Sequence, residues 1–339
     1  MTTNYIKGRS VLFIGGTGVI SSACAARAAE LGADVHLLNR GVSATRPAPE
    51  GATVITADVR DGTGVRAALG DREFDVVVDF LGFTTEQVAL SVDLFAGRTG
   101  QYVFIATAAA YERPPARVPV SETARLHNPH SVYARNKIAC EELLARVHRD
   151  QSTPVTVVRP SHTYDRTAVP FDGGWTAVER MRQGKEVMVH GDGTSLWTLT
   201  HHTDFALGFT GLLNNPGALG ETFHITGDEV LSWDEIYRTV AAAAGVDEPR
   251  LVHVPSDAIA AADPAWGEEL LGDKAHSMVF DNAEIRRLVP EFTASVPFAQ
   301  GAREIVTWYD EDPARRVVDT RREAIMERLI EAHRPRWPR

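Results

Sequence analysis

The sequence predicts an α/β protein built on a doubly wound parallel sheet, and three observations carry that prediction. Short β-branched runs alternate with longer helical stretches through the first half of the chain. Those runs are apolar almost throughout, the pattern of strands covered on both faces. A glycine-rich turn, Gly15-Gly16-Thr17-Gly18, joins the first run directly to the first helical stretch. Right-handed crossovers between such units produce a Rossmann-like sheet.

Taken in order, Ser10–Ile14 reads as a buried strand and residues 18–31 as an Ala-rich helix. Residues 34–38 and Thr53–Thr56 are the second and third strands, and residues 75–80 the fourth. A helix follows over Thr85–Phe95, then a fifth strand at 101–106, a long helix at 130–148 and a sixth strand at 154–158. After Arg159 the rhythm changes: Pro, Gly, Trp and His become frequent up to His202, as in loops that build a pocket. A helix over 203–213 and a strand over 222–226 read as a return to the sheet. The remainder reads as mainly helical with a charged tail over 315–339, with breaks at Pro313 and Pro335. The expected organisation is therefore a sheet domain from 1–160 and about 202–228, and a smaller, discontinuous, mainly helical substrate domain from about 161–201 and 229–339.

Composition narrows the function by exclusion. The 339 residues carry 35 Lys plus Arg against 45 Asp plus Glu, a net charge of −10, which argues against a dedicated nucleic-acid binder. No apolar run approaches the ~20 residues that span a bilayer, and the opening residues are too polar for a signal peptide. Two cysteines, Cys24 and Cys140, make no disulfide framework and fit a reducing cytoplasm.

The glycine turn is the first chemical signal. Glycines at the start of a helix let main-chain N–H groups approach a pyrophosphate. Gly15 and Gly18 keep the spacing of such a loop, while Ser21 stands where a third glycine is usual and permits a looser helix–strand contact. The end of the second strand selects the adenosine ribose: an acidic residue suits NAD, an Arg suits the 2′-phosphate of NADP. Here Asn39 and Arg40 stand there, which favours NADP over NAD. Asp58, with Val59, follows the third strand and faces either the adenine or only its own turn.

The second signal is Tyr133 and Lys137, one helical turn apart on one face. A phenol titrates near pH 10, and bringing it close to neutrality takes about 4 kcal/mol. A neighbouring ammonium works in that direction, and Lys137 together with a cationic nicotinamide ring is expected to supply the shift.

With these residues the chain resembles the extended short-chain dehydrogenase/reductase superfamily, in its NAD-dependent epimerase/dehydratase branch. The likeness runs from about residue 10 to 245 and rests on Gly15-Gly16-Thr17-Gly18, Asp58, the Tyr133/Lys137 pair and Arg159-Pro160. The resemblance implies a nicotinamide cofactor and nominates Thr107, four residues before Tyr111, as partner of the reacting oxygen. Tyr133 is then the proton carrier, and Lys137 also holds the nicotinamide ribose. The implied cofactor-facing set comprises Gly15, Gly16, Thr17, Gly18, Val19, Ile20, Asn39, Arg40, Asp58, Val59, Leu81, Gly82 and Lys137.

The chain also departs from its relatives. Dehydratases of the branch place Asp-Glu after the Thr, where this sequence has Ala108 and Ala109, which move no protons. His162 replaces a substrate-contacting Asn, and Trp197 replaces an Arg that grips diphosphate in sugar-nucleotide enzymes. Ala108, Tyr111, His162 and Trp197 are accordingly the candidate substrate-facing residues, with a buried His162 and a lid-packing Trp197 as the other readings. Arg166, Arg180 and Arg182 are alternative phosphate partners or plain surface ion pairs. His201-His202 lacks metal-site spacing, and no metal is expected. The stretches Leu38-Asn39-Arg40-Gly41 and Val78-Asp79-Phe80-Leu81-Gly82 also resemble a subgroup related to chloroplast stem-loop RNA-binding proteins.

The expectation is thus an NAD(P)-dependent sugar epimerase working by transient oxidation of a hydroxyl, on a small-molecule, nucleotide-linked sugar. An NADPH-dependent ketoreductase is the first alternative and a non-catalytic RNA-associated relative the second. A homodimer through the helices at Thr85–Phe95 and 130–148, using Leu90, Leu94 and Leu143, is a further expectation from the family; those leucines equally suit the sheet.

Overall fold

The computed structural model of the protein describes residues 4–41, 45–151 and 153–334. β1 (Ser10–Ile14) passes through the glycine turn into α1 (Val19–Glu30). β2 (Asp34–Asn39), β3 (Thr53–Thr56), α2 (Gly62–Leu69), β4 (Phe74–Asp79), α3 (Thr85–Phe95) and β5 (Thr99–Ile105) follow, then α4 (Val132–Gln151) and β6 (Val155–Pro160). The chain leaves the sheet for β7 (His162–Tyr164), α5 (Gly174–Arg182), β8 (Glu186–His190) and β9 (Leu196–His201). It returns with α6 (His202–Thr210) and β10 (Thr222–Ile225). β11 (Val230–Ser232), α7 (Trp233–Ala243), β12 (Arg250–Val254), α8 (Ser256–Ala262), α9 (Pro264–Glu269), α10 (Ala283–Leu288), α11 (Phe298–Asp310) and α12 (Thr320–His333) complete it.

Seven strands form one sheet in the order β10-β6-β5-β4-β1-β2-β3, every neighbouring pair parallel. The chain builds outward from β1 to β3, then restarts on the other side of β1 with β4. Strand order therefore reverses between β1 and β4, and the crevice at the carboxyl ends there is where such sheets receive ligands. β1 shows why the strand reads as apolar throughout. Val11 and Phe13 enter the layer under α1 and α6, whereas Leu12 and Ile14 enter the layer under α2, α3 and α4. Burying each such side chain stabilises by about 1.5–3 kcal/mol, so the strand is held from both faces. α1 turns Cys24, Ala25 and Ala28 to the sheet, small side chains that allow close approach. Cys140 lies in the opposite layer, and both cysteines are free and buried.

The sequence pattern passes over α2, a short helix with two glycines that Asp61 caps by accepting the Gly64 amide at 3.1 Å. Leu94 is buried in the sheet core with Leu90 and Leu143 packed at its edge, so Leu94 offers no surface for a dimer. The second unit is less purely helical than expected. β7, β9 and β11 form a small sheet and β8 pairs with β12, covering a core that includes Trp197, Trp233, Tyr237 and Ile305. The expected charged tail includes α12, which buries Ile325, Met326, Leu329 and Ile330 beside Met188 and Val252. The break at Pro313 is a short turn capped by Asp312; the one expected at Pro335 lies outside the described residues. Among the described residues no helix is long and apolar enough to cross a membrane.

Candidate active site

A cleft of about 730 Å³ opens along the carboxyl ends of β1, β2, β4 and β5, within the size range of small-molecule and cofactor sites. One end is the glycine turn. Gly15 and Gly16 have φ of +111° and +81°, which side chains rarely adopt. A Cβ on Gly16 would come within 2.8 Å of Leu37. The Gly15 amide donates to Leu38 O at 2.9 Å, while those of Gly16 and Thr17 take no partner among the described residues. Ser21, in place of a third glycine, bends back so that its Oγ accepts the Gly18 amide at 2.8 Å. That bond closes the first turn of α1. Gly15, Thr17, Gly18 and Ile20 line the cleft, with Gly16 and Val19 between them in the chain. Free amides at a helix N-terminus, on a turn closed to side chains, fit the diphosphate of a dinucleotide.

Asn39, Arg40, Asp58 and Val59 line the outer part of the cleft. Asn39 Oδ1 accepts the Gly41 amide at 2.8 Å and fixes that turn. Arg40 is exposed on the rim and has no ion-pair partner among the described residues. The Asp58 carboxylate is engaged by both arms of Arg60, at 3.0 and 3.1 Å. The Arg60 hydrogen bonds hold this carboxyl below its usual range. Leu81 faces the cleft, whereas Gly82 borders an adjoining hollow with Asp79 and Gln87.

Thr107, Tyr133 and Lys137 converge at the inner end. Thr107 Oγ1 accepts the Ala109 amide at 3.1 Å, which leaves its O–H to donate. Tyr133 is 43% exposed and opens into the cleft. Lys137 is buried, its Nζ donating at 2.7 Å to both Gly82 O and Ile105 O. It also lies 4.8 and 4.7 Å from the rings of Phe83 and Phe104. Burial lowers its pKa to about 8, against the charge of Asp79. Burial pushes the Tyr133 phenol up and the hydrogen bond with Thr107 works against it; the Lys137 ammonium lies 5.9 Å from the Tyr133 ring.

A second cavity, about 270 Å³, shares Thr107, Pro160, Ser161 and Thr163 with the cleft and extends to Ala108, Ala109, His162, Asp273 and Lys274. Of the candidate substrate-facing residues, Ala108 and His162 line this cavity. Tyr111 and Trp197 do not. Tyr111 is fully buried, its Oη bonded to Arg159 at 3.2 Å and to His224 Nδ1 at 3.1 Å. Trp197 is buried 5.4 Å from Trp233, its indole N–H donated to His162 Nδ1 at 3.0 Å. Arg180 and Arg182 pair with Glu327 and Asp310, each at 2.7 Å, and are not available to phosphate; Arg166 is exposed. His201 meets Glu304 at 3.1 Å. Ser161, Thr163, Asp273 and Lys274 are cavity residues that sequence reasoning missed. The first two flank His162 at alternate positions, a usable signal; the last two follow no motif.

A model of the NAD dependent epimerase/dehydratase family matches residues 11–226. The chain belongs to that family. Over 199 residues it is 27% identical to a chloroplast stem-loop binding protein of 41 kDa from Arabidopsis thaliana, a match that covers 59% of this chain and 50% of that one. It spans about half the length of the first curated relatives it matches. Among solved structures, the epimerase Mth375 of Methanothermobacter thermautotrophicus superposes with a TM-score of 0.74 at 16% identity, covering 92% of this chain and 95% of that one. A UDP-glucose 4-epimerase from Bifidobacterium longum, in complex with NAD+ and UDP, gives 0.71 at 19% identity over 89% and 98%. At such identities the likeness establishes the shared Rossmann fold of the family's epimerases and dehydratases.

Proposed function

We propose that this family member is a nicotinamide-dinucleotide-dependent epimerase that acts on a hydroxyl of a nucleotide-linked sugar, with NADP as the preferred cofactor. One observation carries the reading: Thr107, Tyr133 and Lys137 meet at the end of a dinucleotide-sized cleft while the dehydratase acid and base positions hold the methyl groups of Ala108 and Ala109. The nucleotide link is supported by solved epimerase structures that hold UDP or UDP-glucose. Gly15, Thr17, Gly18 and Ile20 hold the dinucleotide at the α1 N-terminus, and Arg40 on the rim offers a fork to a 2′-phosphate. When bound, the nicotinamide supplies a reversible hydride acceptor.

Tyr133 removes the substrate hydroxyl proton at its Oη. The Thr107 hydroxyl, whose oxygen accepts from Ala109, donates its O–H to the same oxygen and steadies it as a carbonyl forms. Lys137 fixes the main chain at Gly82 and Ile105 and carries a positive charge below about pH 8. Inversion follows if the keto intermediate turns over, so that the hydride held by the bound nicotinamide returns to the other face of the carbonyl carbon while Tyr133 gives its proton back to the carbonyl oxygen, with no net oxidation.

The deciding experiment is the dinucleotide released by heat-denaturing purified protein. The epimerase reading expects near-stoichiometric oxidised dinucleotide and turnover of nucleotide sugars with none added. An empty protein that consumes added NADPH makes it a reductase instead. No turnover on a broad panel together with salt-sensitive RNA binding makes it a non-catalytic relative.

A further inference from the structure

Trp197 and His162 decide each other's chemistry. An indole N–H only donates, so His162 Nδ1, 3.0 Å from Trp197 Nε1, is the accepting nitrogen and the ring proton sits on Nε2. Nε2 takes no partner among the described residues, and the ring lines the cavity beside Thr107. Burial keeps the imidazole neutral, pushing its pKa down to about 4. His162 is therefore a fixed, uncharged donor.

The opposite wall is a π-helical turn, Leu270–Lys274, a distortion often found at functional sites. It is docked on the start of α4, the turn that carries Tyr133. Gly272 O accepts Asn128 Nδ2 at 2.6 Å, and a Cβ on Gly272 would sit 2.9 Å from that of Ser131. Just before the turn, Glu268 accepts the Val132 amide at 2.8 Å. Asp273 pairs through Oδ1 with the buried Arg113, leaving Oδ2 unpartnered among the described residues. Lys274 Nζ lies 2.9 Å from Asp172 and 3.4 Å from Glu269. Each cation at this wall is already matched by a carboxylate. A phosphate entering here meets no uncompensated charge, whereas a ring of hydroxyls meets donors and an acceptor.

We propose that this cavity holds an uncharged polyhydroxylated ring, read by donation from His162 Nε2 and Lys274 and by acceptance at Asp273, and that any diphosphate of the substrate lies outside it. The inference rests on the sugar reading above and narrows which part of the sugar the second unit recognises. Trp197 is then a positioning residue, acting through the His162 tautomer.

Nitrogen-15 NMR of the His162 ring, assigned with His162→Gln, tests this in the intact protein. The Nε2–H tautomer is expected at neutral pH, and Trp197→Phe should turn it into a mixture. Titration with neutral hexoses and 6-deoxyhexoses should move the signal saturably for at least one sugar. Its 1-phosphate should bind no more tightly, inorganic phosphate should leave the signal still, and Asp273→Asn should weaken the sugar roughly tenfold. An Nδ1–H tautomer, one unchanged in Trp197→Phe, silence toward every hexose, a response to inorganic phosphate, a markedly tighter 1-phosphate or an unaffected Asp273→Asn overturns the proposal. Failure of the enzyme reading shows elsewhere, as absent dinucleotide turnover, and leaves this titration intact.

Discussion

Replacing Lys137 by Met should make the protein's stability depend less on alkaline pH, by an amount the structure supplies. In the folded chain the ammonium is buried among Phe83, Phe104 and main-chain carbonyls, and burial lowers its pKa from 10.5 to about 8. That difference is worth about 3 kcal/mol. Below about pH 8 both folded and unfolded chains hold the proton, and the folded chain bears the whole penalty. Between about 8 and 10.5 the unfolded chain keeps the proton that the folded chain has released, so stability climbs with pH. Above 10.5 both are neutral and the penalty is gone. Lys137→Met removes this titration, and its loss of the bonds to Gly82 O and Ile105 O is independent of pH. The stability of wild type minus that of the variant should therefore rise by about 3 kcal/mol from about pH 7 to about pH 10.5. The neighbouring Cys140 thiol, pushed up to about 11 by burial, lowers stability as pH rises past the unfolded thiol's ordinary value, but it is present in both proteins and drops out of the difference. Urea unfolding followed by tryptophan fluorescence at several pH values measures the difference. A flat difference, or one that falls with pH, refutes the assignment of a strained buried charge to Lys137.

Three further outcomes test the site. Tyr133→Phe should reduce turnover by roughly 10²–10⁴ while dinucleotide affinity, read by fluorescence titration, stays close to wild type; retained turnover removes Tyr133 from the proton path. Arg40→Glu should weaken NADP relative to NAD by roughly tenfold or more, because a charge-assisted contact is exchanged for repulsion; equal effects on the two cofactors place the 2′-phosphate elsewhere. Gly16→Val combines a φ of +81° with a Cβ 2.8 Å from Leu37 and should cost about 1–3 kcal/mol of stability along with dinucleotide affinity; a variant as stable as wild type means that the turn is not held as described.

The sheet was legible because its signals are local. β1 shows up in four consecutive buried residues, and its bounds agree with the sequence reading at Ser10–Ile14. The glycine turn reads as a turn because Gly15 and Gly16 need backbone conformations that few other residues tolerate. The second unit was less legible for the same physical reason reversed. β7, β9 and β11 run only three to six residues, too short for a period to emerge, and their pairing partners are distant in the chain. α12 carries many charges, yet four apolar side chains one turn apart bury its inner face; a mean over the segment conceals that stripe.

At the site the same distinction separates position from direction. The family resemblance nominated Tyr111 and Trp197 as substrate-facing, but neither side chain lines the cleft or the second cavity. Tyr111 turns back to Arg159 and His224 because a buried phenol needs partners. Trp197 turns into the aromatic core and gives its N–H to His162. Its influence on a ligand then passes through the imidazole rather than through stacking. Asp273 and Lys274 carry no local mark at all, since only the docking of the π-turn on α4 brings them to Tyr133. The net charge of −10 gains meaning in this light. An acidic chain can still bind a diphosphate if it leaves cations unmatched where the ligand lies. Around the second cavity each cation that reaches the wall is neutralised by a carboxylate, while Arg40 at the far end of the cleft is not paired among the described residues. On the readings proposed above, the unpaired Arg40 suits the cofactor end, and the matched cations of the second cavity suit hydrogen bonds to a neutral ring.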